Sequence, residues 1–407
     1  MSILAKNVSA HLGNASWIRR MFESGTQLKA RYGAENVYDF SLGNPDLPAP
    51  PAVGEGLAAF AARAGEPFAF GYMPNGGFPW LRERLAAHLS AEQGVKLGME
   101  DVILTCGAAG GLNAFLRAVL DPGERVLTFA PYFVEYGFYV ANHGGELAPV
   151  PSRAEDFAPD LAALEQAIDA KTRVVLINSP HNPTGAVYSR SDLTALARLL
   201  ENKSQQYGRP IWLLADEPYR FLAYDGAEVP SVLPLYPYAV AVSSLSKNLS
   251  LPGERVGYAA LAPQMPEKAE LMAALTFTNR ILGFVNPPVI GQHLMAAALG
   301  SSVDRSVYAA RRAAMARVLT EAGYEFVMPR GAFYFFPKAP GGDDVAFVNR
   351  LMEERVLAVP GSGFGWPGHF RLAFCVDESV IRNAAPGFAR AMAAMRGQAD
   401  AAKGGRA

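Results

Sequence analysis

Between residues 100 and 244, short unbroken apolar runs alternate with stretches of helical period. The runs are VILT (102–105), RVLTFA (125–130), RVVLINS (173–179), IWLLAD (211–216) and YAVAVSS (238–244). Between them, LNAFLRAVL (112–120), LAALEQAI (161–168) and DLTALARLLENKSQQ (192–206) repeat apolar residues at the spacing of one helix face. A strand that is apolar throughout is covered on both faces, so this alternation predicts a mostly parallel sheet flanked by helices, an α/β lobe. Upstream, Trp17, Ile18, Met21, Phe22 and Leu28 predict an amphipathic helix over 16–32, and FSLGNPDLPAPP then breaks regularity with its glycine and prolines. After Pro287-Pro288 come long Ala-rich helical stretches, then the strand-like AFYFFPK (332–338) and FRLAFCV (370–376), which predict a second, α+β lobe. From residue 397 the tail is expected to be disordered. No internal repeat is visible.

Half of the 407 residues are hydrophobic, more than one core normally holds, and no linker-like stretch separates the halves. Two lobes of one body are therefore expected. With 37 Lys+Arg against 38 Asp+Glu, the chain carries no electrostatic footprint for nucleic acid or an anionic membrane, which points to a small-molecule partner. The two cysteines, Cys106 and Cys375, form no C-x-x-C pair, so neither a disulfide framework nor a metal site is expected. The opening MSILAKNVSAHLG lacks the apolar core of a signal peptide and no run is long enough to span a membrane, so a cytoplasmic protein is expected.

In open α/β sheets, ligands bind beyond the carboxyl ends of the strands, so the residues just after each run are candidates for a site. VILT leads into Cys106-Gly107-Ala108-Ala109-Gly110-Gly111: either a tight turn, or a nest of free N–H groups at a helix start that welcomes an anion. RVLTFA leads to Phe133, a core cap or a face on which a planar ring could stack. RVVLINS leads into PHNPTG, where Asn182 is either a turn residue or an amide donor. IWLLAD ends on Asp216, with Tyr219 three residues on; a carboxylate there is a helix cap or is met by a cation. YAVAVSS delivers Ser244 and Lys247, with Arg255 beyond a Pro252-Gly253 turn.

Each feature has a structural reading, but one ligand needs all of them. Pyridoxal phosphate combines a phosphate, a flat ring, a phenolate oxygen, a ring nitrogen and an aldehyde. Lys247 would form the Schiff base, and Asp216 would pair with the ring nitrogen and keep it protonated. Ser244 and Arg255 would complete the phosphate site.

In order, SLGNPD, GYMPNGGFPWLRERLA, PYFVEY, NSPHNPTG, ADEPY, SLSKNLSLPGERVGY and FRLAF resemble the motifs of class I/II aminotransferases of the aspartate-aminotransferase-like, pyridoxal-phosphate-dependent superfamily (fold type I). The resemblance implies a large domain with a mostly parallel seven-stranded sheet plus a smaller α+β domain. The division would be 1–50 as an arm and part of the small domain, 51–290 as the large domain, 291–396 as the small domain, and 397–407 as the tail. It also implies that Tyr219 and Asn182 bond the phenolate oxygen, that Phe133 stacks on the ring, and that Gly107, Ala108 and Ala109 offer N–H groups to the phosphate. Cys106 and the alanines depart from the Ser/Thr common in that loop. Tyr72 would reach the phosphate of a partner subunit, making a homodimer with shared sites. Gly43 would lie over the substrate, and Arg371, otherwise a surface charge on FRLAF, would bind its α-carboxylate.

The function so implied is ping-pong transamination between an L-amino acid and a 2-oxo acid, with Lys247 moving the proton. A β C–S lyase or a decarboxylase on the same scaffold is the alternative, and a pyridoxal-phosphate-sensing regulator module is a third reading. For specificity, Arg280 stands six residues before Asn286-Pro287-Pro288, where dicarboxylate-specific relatives carry an arginine one residue nearer. It is either an interface charge or a ligand for a distal carboxylate such as that of 2-oxoglutarate. Phe133, Tyr136, Phe277 and Phe284 would equally suit an apolar or aromatic side chain.

Overall fold

The structure, a computed structural model, describes residues 3–5, 8–9 and 17–404. Its strands are β1 (Tyr38–Asp39), β2 (Val102–Thr105), β3 (Arg125–Ala130), β4 (Glu146–Pro151), β5 (Thr172–Asn178), β6 (Trp212–Asp216), β7 (Ala239–Ser244), β8 (Gly257–Leu261), β9 (Tyr334–Phe335), β10 (Val356–Leu357), β11 (Val359–Pro360) and β12 (Phe370–Ala373). Seven of them form the large sheet in the order β2-β8-β7-β6-β5-β3-β4, parallel except for β8. The five apolar runs lie on β2, β3, β5, β6 and β7, within one residue at each end. They are apolar throughout because helices cover both faces: every residue of β2, β6 and β7 is buried.

The two strands of this sheet that the apolar pattern misses have physical reasons for hiding. Strand β4 is an edge strand with a single neighbour, mostly accessible, and it carries Pro149 and Pro151. Proline cannot donate to a ladder and is tolerated at such an edge. Strand β8 reads GYAAL, whose glycine and two alanines carry little apolar bulk, and its glycine is needed where it is. A Cβ on Gly257 would lie 2.6 Å from the carbonyl carbon of Gly107 and 2.8 Å from Ala108 N.

The expected helix over 112–120 starts earlier, at Gly107 (Gly107–Val119), so the glycine cluster is its first turn rather than a loop before it. These glycines let the helix lie close on the sheet: a Cβ on Gly111 would sit 2.9 Å from Val242 Cγ1. The helix Arg190–Tyr207 has a reciprocal capping box between Ser189 and Asp192 and ends on Gly208 in the left-handed region. The N-terminal helix runs Trp17–Tyr32; residue 16 lies outside the described residues.

A second core surrounds β9, β11 and β12 and is rich in aromatics, with Phe40, Phe333, Phe335, Phe347 and Phe370 fully buried. Truncating one such phenylalanine to alanine typically costs about 3–5 kcal/mol. AFYFFPK contributes the short β9 and, beyond it, an isolated bridge between Lys338 and His369, so its pairing is interrupted rather than continuous. The N-terminal segment joins this core: β1 pairs with β10, and Ala373 N donates to Phe40 O. Tyr219 is buried in this second core although it follows β6 of the large sheet. The two cores therefore meet at the sheet's carboxyl edge. The helix Glu378–Gly404 runs through most of the tail expected to be disordered; residues 405–407 lie outside the described residues.

Candidate active site

A cavity of ≈ 340 Å³ opens where the two cores meet, beyond the ends of β2, β5, β6 and β7. It is lined by Ala108, Ala109, Phe133, Asn182, Asp216, Tyr219, Ser244, Lys247 and Arg255 from the first lobe, and by Gly43, Tyr334 and Arg371 from the second. Most of the residues singled out in the sequence thus converge here, and five do not. Gly107 sits behind the lining, where its missing side chain makes room: a Cβ would meet Arg255 Nη2 at 2.9 Å. Tyr72 is fully exposed and outside the cavity. Arg280 ends the helix Lys268–Ile281, exposed beside a separate groove with Met272 and Phe277. Phe277 and Phe284 are also exposed, so in this chain they do not line the site.

Lys247 sits in the one-turn helix Leu245–Asn248, which Ser244 caps. Its Nζ donates to Gly43 O at 2.6 Å and lies 5.5 Å from the Phe333 ring centroid. Burial, and then the positive charges of Arg371 and Arg255, depress its amine to about 8, against the opposing influence of Cys375. Lining the cavity, it is not a solvent-exposed surface lysine.

Asp216 caps no helix. Its Oδ2 accepts a 2.6 Å hydrogen bond from Tyr136 OH, while Oδ1 is buried with no partner among the described residues. Burial raises its acid to about 7, with Glu217 adding to the rise and Tyr136 opposing it. Asn178 steadies the neighbourhood: its Nδ2 donates to Asp216 O, and its Oδ1 accepts from Asn182 N, both at 2.7 Å.

Arg371 is no surface charge, being only 2% exposed. Its Nη1 donates to Asn182 Oδ1 at 3.1 Å and its Nη2 to Ser41 O at 2.6 Å, while Nε has no partner among the described residues. The guanidinium stacks 4.8 Å from both the Tyr334 and the Phe364 ring centroids. Arg371 occupies Asn182 Oδ1, so the amide NH₂ is the part of Asn182 left to donate. Tyr219 OH and Tyr334 OH share a 2.7 Å hydrogen bond, and burial raises both phenols, so both stay protonated.

Sequence reasoning did not single out Asn178 or Tyr334, and it read Tyr136 only as part of an apolar pocket. Tyr136 follows Phe133 by three residues in PYFVEY and lies in the first turn of the helix Glu135–Asn142, where its ring meets that of Phe133. Tyr334 shares a strand with buried phenylalanines, and nothing local marks its hydroxyl. It also explains Gly43, because a Cβ there would fall 2.1 Å from Tyr334 OH. Gly43→Ala is expected to displace that hydroxyl, to cost about 1–3 kcal/mol of stability, and to raise the KM for amino donors. Thermal unfolding and steady-state kinetics would check this; an unchanged KM counts against a substrate-facing Gly43.

The residues fit pyridoxal phosphate by observation of this chain. An orphaned buried carboxylate oxygen suits a protonated ring nitrogen, and a buried amine of depressed basicity suits an aldehyde. An arginine over a cradle of small residues suits a phosphate.

The chain matches the family model for aminotransferase class I and II over residues 35–388. It is 33% identical to the aspartate/prephenate aminotransferase of Thermus thermophilus over 378 residues, covering 90% of this chain and 93% of that one. It is 34% identical to the aspartate aminotransferase of Thermotoga maritima over 356 residues, 86% of this chain and 90% of that one. Among solved structures, an amino transferase from Eubacterium rectale superposes with a TM-score of 0.92 at 40% identity, over 96% of this chain and 98% of that one. The protein belongs to the class I and II aminotransferases, with the fold of the aspartate aminotransferases. It is a pyridoxal-phosphate-dependent enzyme of the transaminase type.

Proposed function

We propose that this aminotransferase works through Lys247, Asp216, Asn182, Tyr219, Ser244, Arg255 and Arg371 in the roles their chemistry suggests. The observation that carries the proposal is the unpartnered Asp216 Oδ1 in the same cavity as the buried amine of Lys247. When bound, pyridoxal phosphate supplies an electron sink for charge developing at the substrate Cα and a carbon that carries the amino group between substrates. Asp216 Oδ1 holds the proton of the ring nitrogen. Tyr219 OH and Asn182 Nδ2 donate to the phenolate oxygen, and Phe133 covers the ring. Arg255, Ser244 and the N–H groups of Gly107, Ala108 and Ala109 hold the phosphate, without help from a hydroxyl at position 106. Arg371 binds the substrate α-carboxylate, Gly43 closes over it, and Lys247 Nζ moves the proton from Cα.

The functional unit we propose is a homodimer. Tyr72 is fully exposed on a segment that also exposes Phe68 and Phe70, and Phe277, Ile281 and Phe284 are exposed elsewhere on the chain. So many exposed large apolar side chains favour an interface. Tyr72 of the partner subunit would then reach the phosphate. A cytoplasmic setting accords with both thiols being free. Among the described residues, no helix is long and apolar enough to cross a membrane.

For the acceptor we propose a dicarboxylate 2-oxo acid, bound by Arg280 of the partner subunit. Support comes from the relatives: several are named aspartate aminotransferases, and the Thermus thermophilus enzyme was solved with maleate. Half-reaction spectra of the holoenzyme against a panel of amino acids test the donor directly. Arg280→Ala is expected to raise the KM for glutamate and aspartate by about tenfold or more, with alanine and phenylalanine little affected. Equal effects on all four donors would make Arg280 a structural residue.

A further inference from the structure

The two oxygens of Asp216 stand in different circumstances. Oδ2 takes a 2.6 Å hydrogen bond from Tyr136 OH, and Oδ1 has no partner among the described residues. Tyr136 is itself 1% exposed, on the helix Glu135–Asn142, and its ring meets that of Phe133 edge-on, with centroids 5.5 Å apart and planes at 88°. A rigid phenol bonded to one oxygen stops the carboxylate from rotating and so fixes where the other oxygen points. We propose that Tyr136 is a positioning residue: its hydrogen bond orients Asp216 and keeps the proton shared by Oδ1 and the cofactor's ring nitrogen on the nitrogen. This rests on the reading that Asp216 faces the ring nitrogen.

The physical reason is a competition between two bases for one proton. Burial makes the Asp216 carboxylate a stronger base, and the negative charge of Glu217 adds to that. Tyr136 and Tyr139 face Asp216 from the helix, and Glu217 and Tyr219 face it from the turn after β6. Of these, Tyr136 is the group that donates a hydrogen bond to the carboxylate. A donor stabilises the ionised form and weakens it as a base. Without the donor, the proton passes from the ring nitrogen to Oδ1; no other bond changes, and the ring becomes a neutral pyridine, a poorer electron sink.

Tyr136→Phe removes one hydroxyl and keeps the packing on Phe133. In the holoenzyme carrying ¹⁵N-labelled cofactor, the ring-nitrogen resonance is expected to move from the pyridinium range toward neutral pyridine. The kcat should fall about 10- to 100-fold, the range for losing a buried hydrogen bond to a charged group, with donor KM little changed. A second measurement tracks the Asp216 carboxyl carbon in the full chain before cofactor is added. Its titration midpoint should rise in Tyr136→Phe and fall when position 136 carries 3-fluorotyrosine, a more acidic phenol. An unmoved ring-nitrogen resonance in a folded Tyr136→Phe overturns the proposal. So does an unmoved Asp216 midpoint in the fluorotyrosine protein, even if the phenylalanine variant does not fold. Asp216→Asn separates the two readings. A parental nitrogen resonance there means that Asp216 does not face the ring. A shifted resonance there, with unshifted Tyr136 variants, means that only the role of Tyr136 is wrong.

Discussion

Lys247→Ala is expected to lower kcat by about 10⁴-fold or more, the largest loss for any single side chain of this protein. The variant should still bind pyridoxal phosphate, because Arg255, Ser244, Asp216 and Tyr219 all line the cavity independently of the lysine side chain. What it should lose is the borohydride-reducible linkage, so mass spectrometry after reduction and proteolysis should find the cofactor on Lys247 in the parent and on no peptide of the variant. Cofactor attached to another lysine would sink the assignment. The depressed amine adds a pH signature. A lysine whose ammonium is disfavoured by burial and by Arg371 and Arg255 becomes nucleophilic above about pH 8 instead of above 10.5. The rate at which the cofactor-free chain is reconstituted should therefore rise with pH and level off just above 8. A rate still climbing past pH 10 would mean that Lys247 is solvated like an ordinary surface amine.

Arg371→Ala is expected to lower kcat/KM by about 10³-fold for every amino donor alike. The guanidinium is buried, its Nε has no partner among the described residues, and Tyr334 and Phe364 flank it. A carboxylate meeting it gives up water for a charge-assisted pair, and removing the arginine leaves that carboxylate desolvated and alone, a loss of about 2–5 kcal/mol. Uniformity is the diagnostic, because the α-carboxylate is common to all donors whereas the contact proposed for Arg280 would serve only dicarboxylates. Arg371→Lys should recover little, since an ammonium keeps the charge but not the planar fork. It would also leave Asn182 Oδ1 and Ser41 O without their present donor. A donor-dependent loss in Arg371→Ala, large for some amino acids and absent for others, would show that Arg371 reads side chains instead.

Much of this was legible in the chain because the information is local. Five sheet strands show as unbroken apolar runs since both of their faces are covered. The residues just after each run are site candidates because parallel strands deliver their carboxyl ends to one edge. Lys247, Asp216, Asn182 and Arg255 could therefore be placed together from order alone. Burial then separated alternatives that the sequence had left open. Asp216 is not a helix cap but a carboxylate with one satisfied oxygen and one that has no partner among the described residues, and Arg371 is a buried guanidinium rather than a surface charge.

The rest depended on contacts between residues far apart in the sequence. Tyr136 and Asp216 are 80 residues apart, Tyr219 and Tyr334 are 115 apart, and Lys247 and Gly43 are 204 apart. No periodicity or propensity encodes which hydroxyl meets which carboxylate across such separations; only the docking of the two cores does. Strand β4 stayed hidden because an edge strand can carry prolines and exposed residues, and β8 because its alanines and glycine are small, the glycine lying against the start of the helix Gly107–Val119. Composition and order thus determined the sheet, the lysine and the cofactor's chemical class. Tertiary packing decided the ionisation of Lys247 and Asp216, since basicity in a buried site is set by desolvation and by neighbours brought in from elsewhere in the chain.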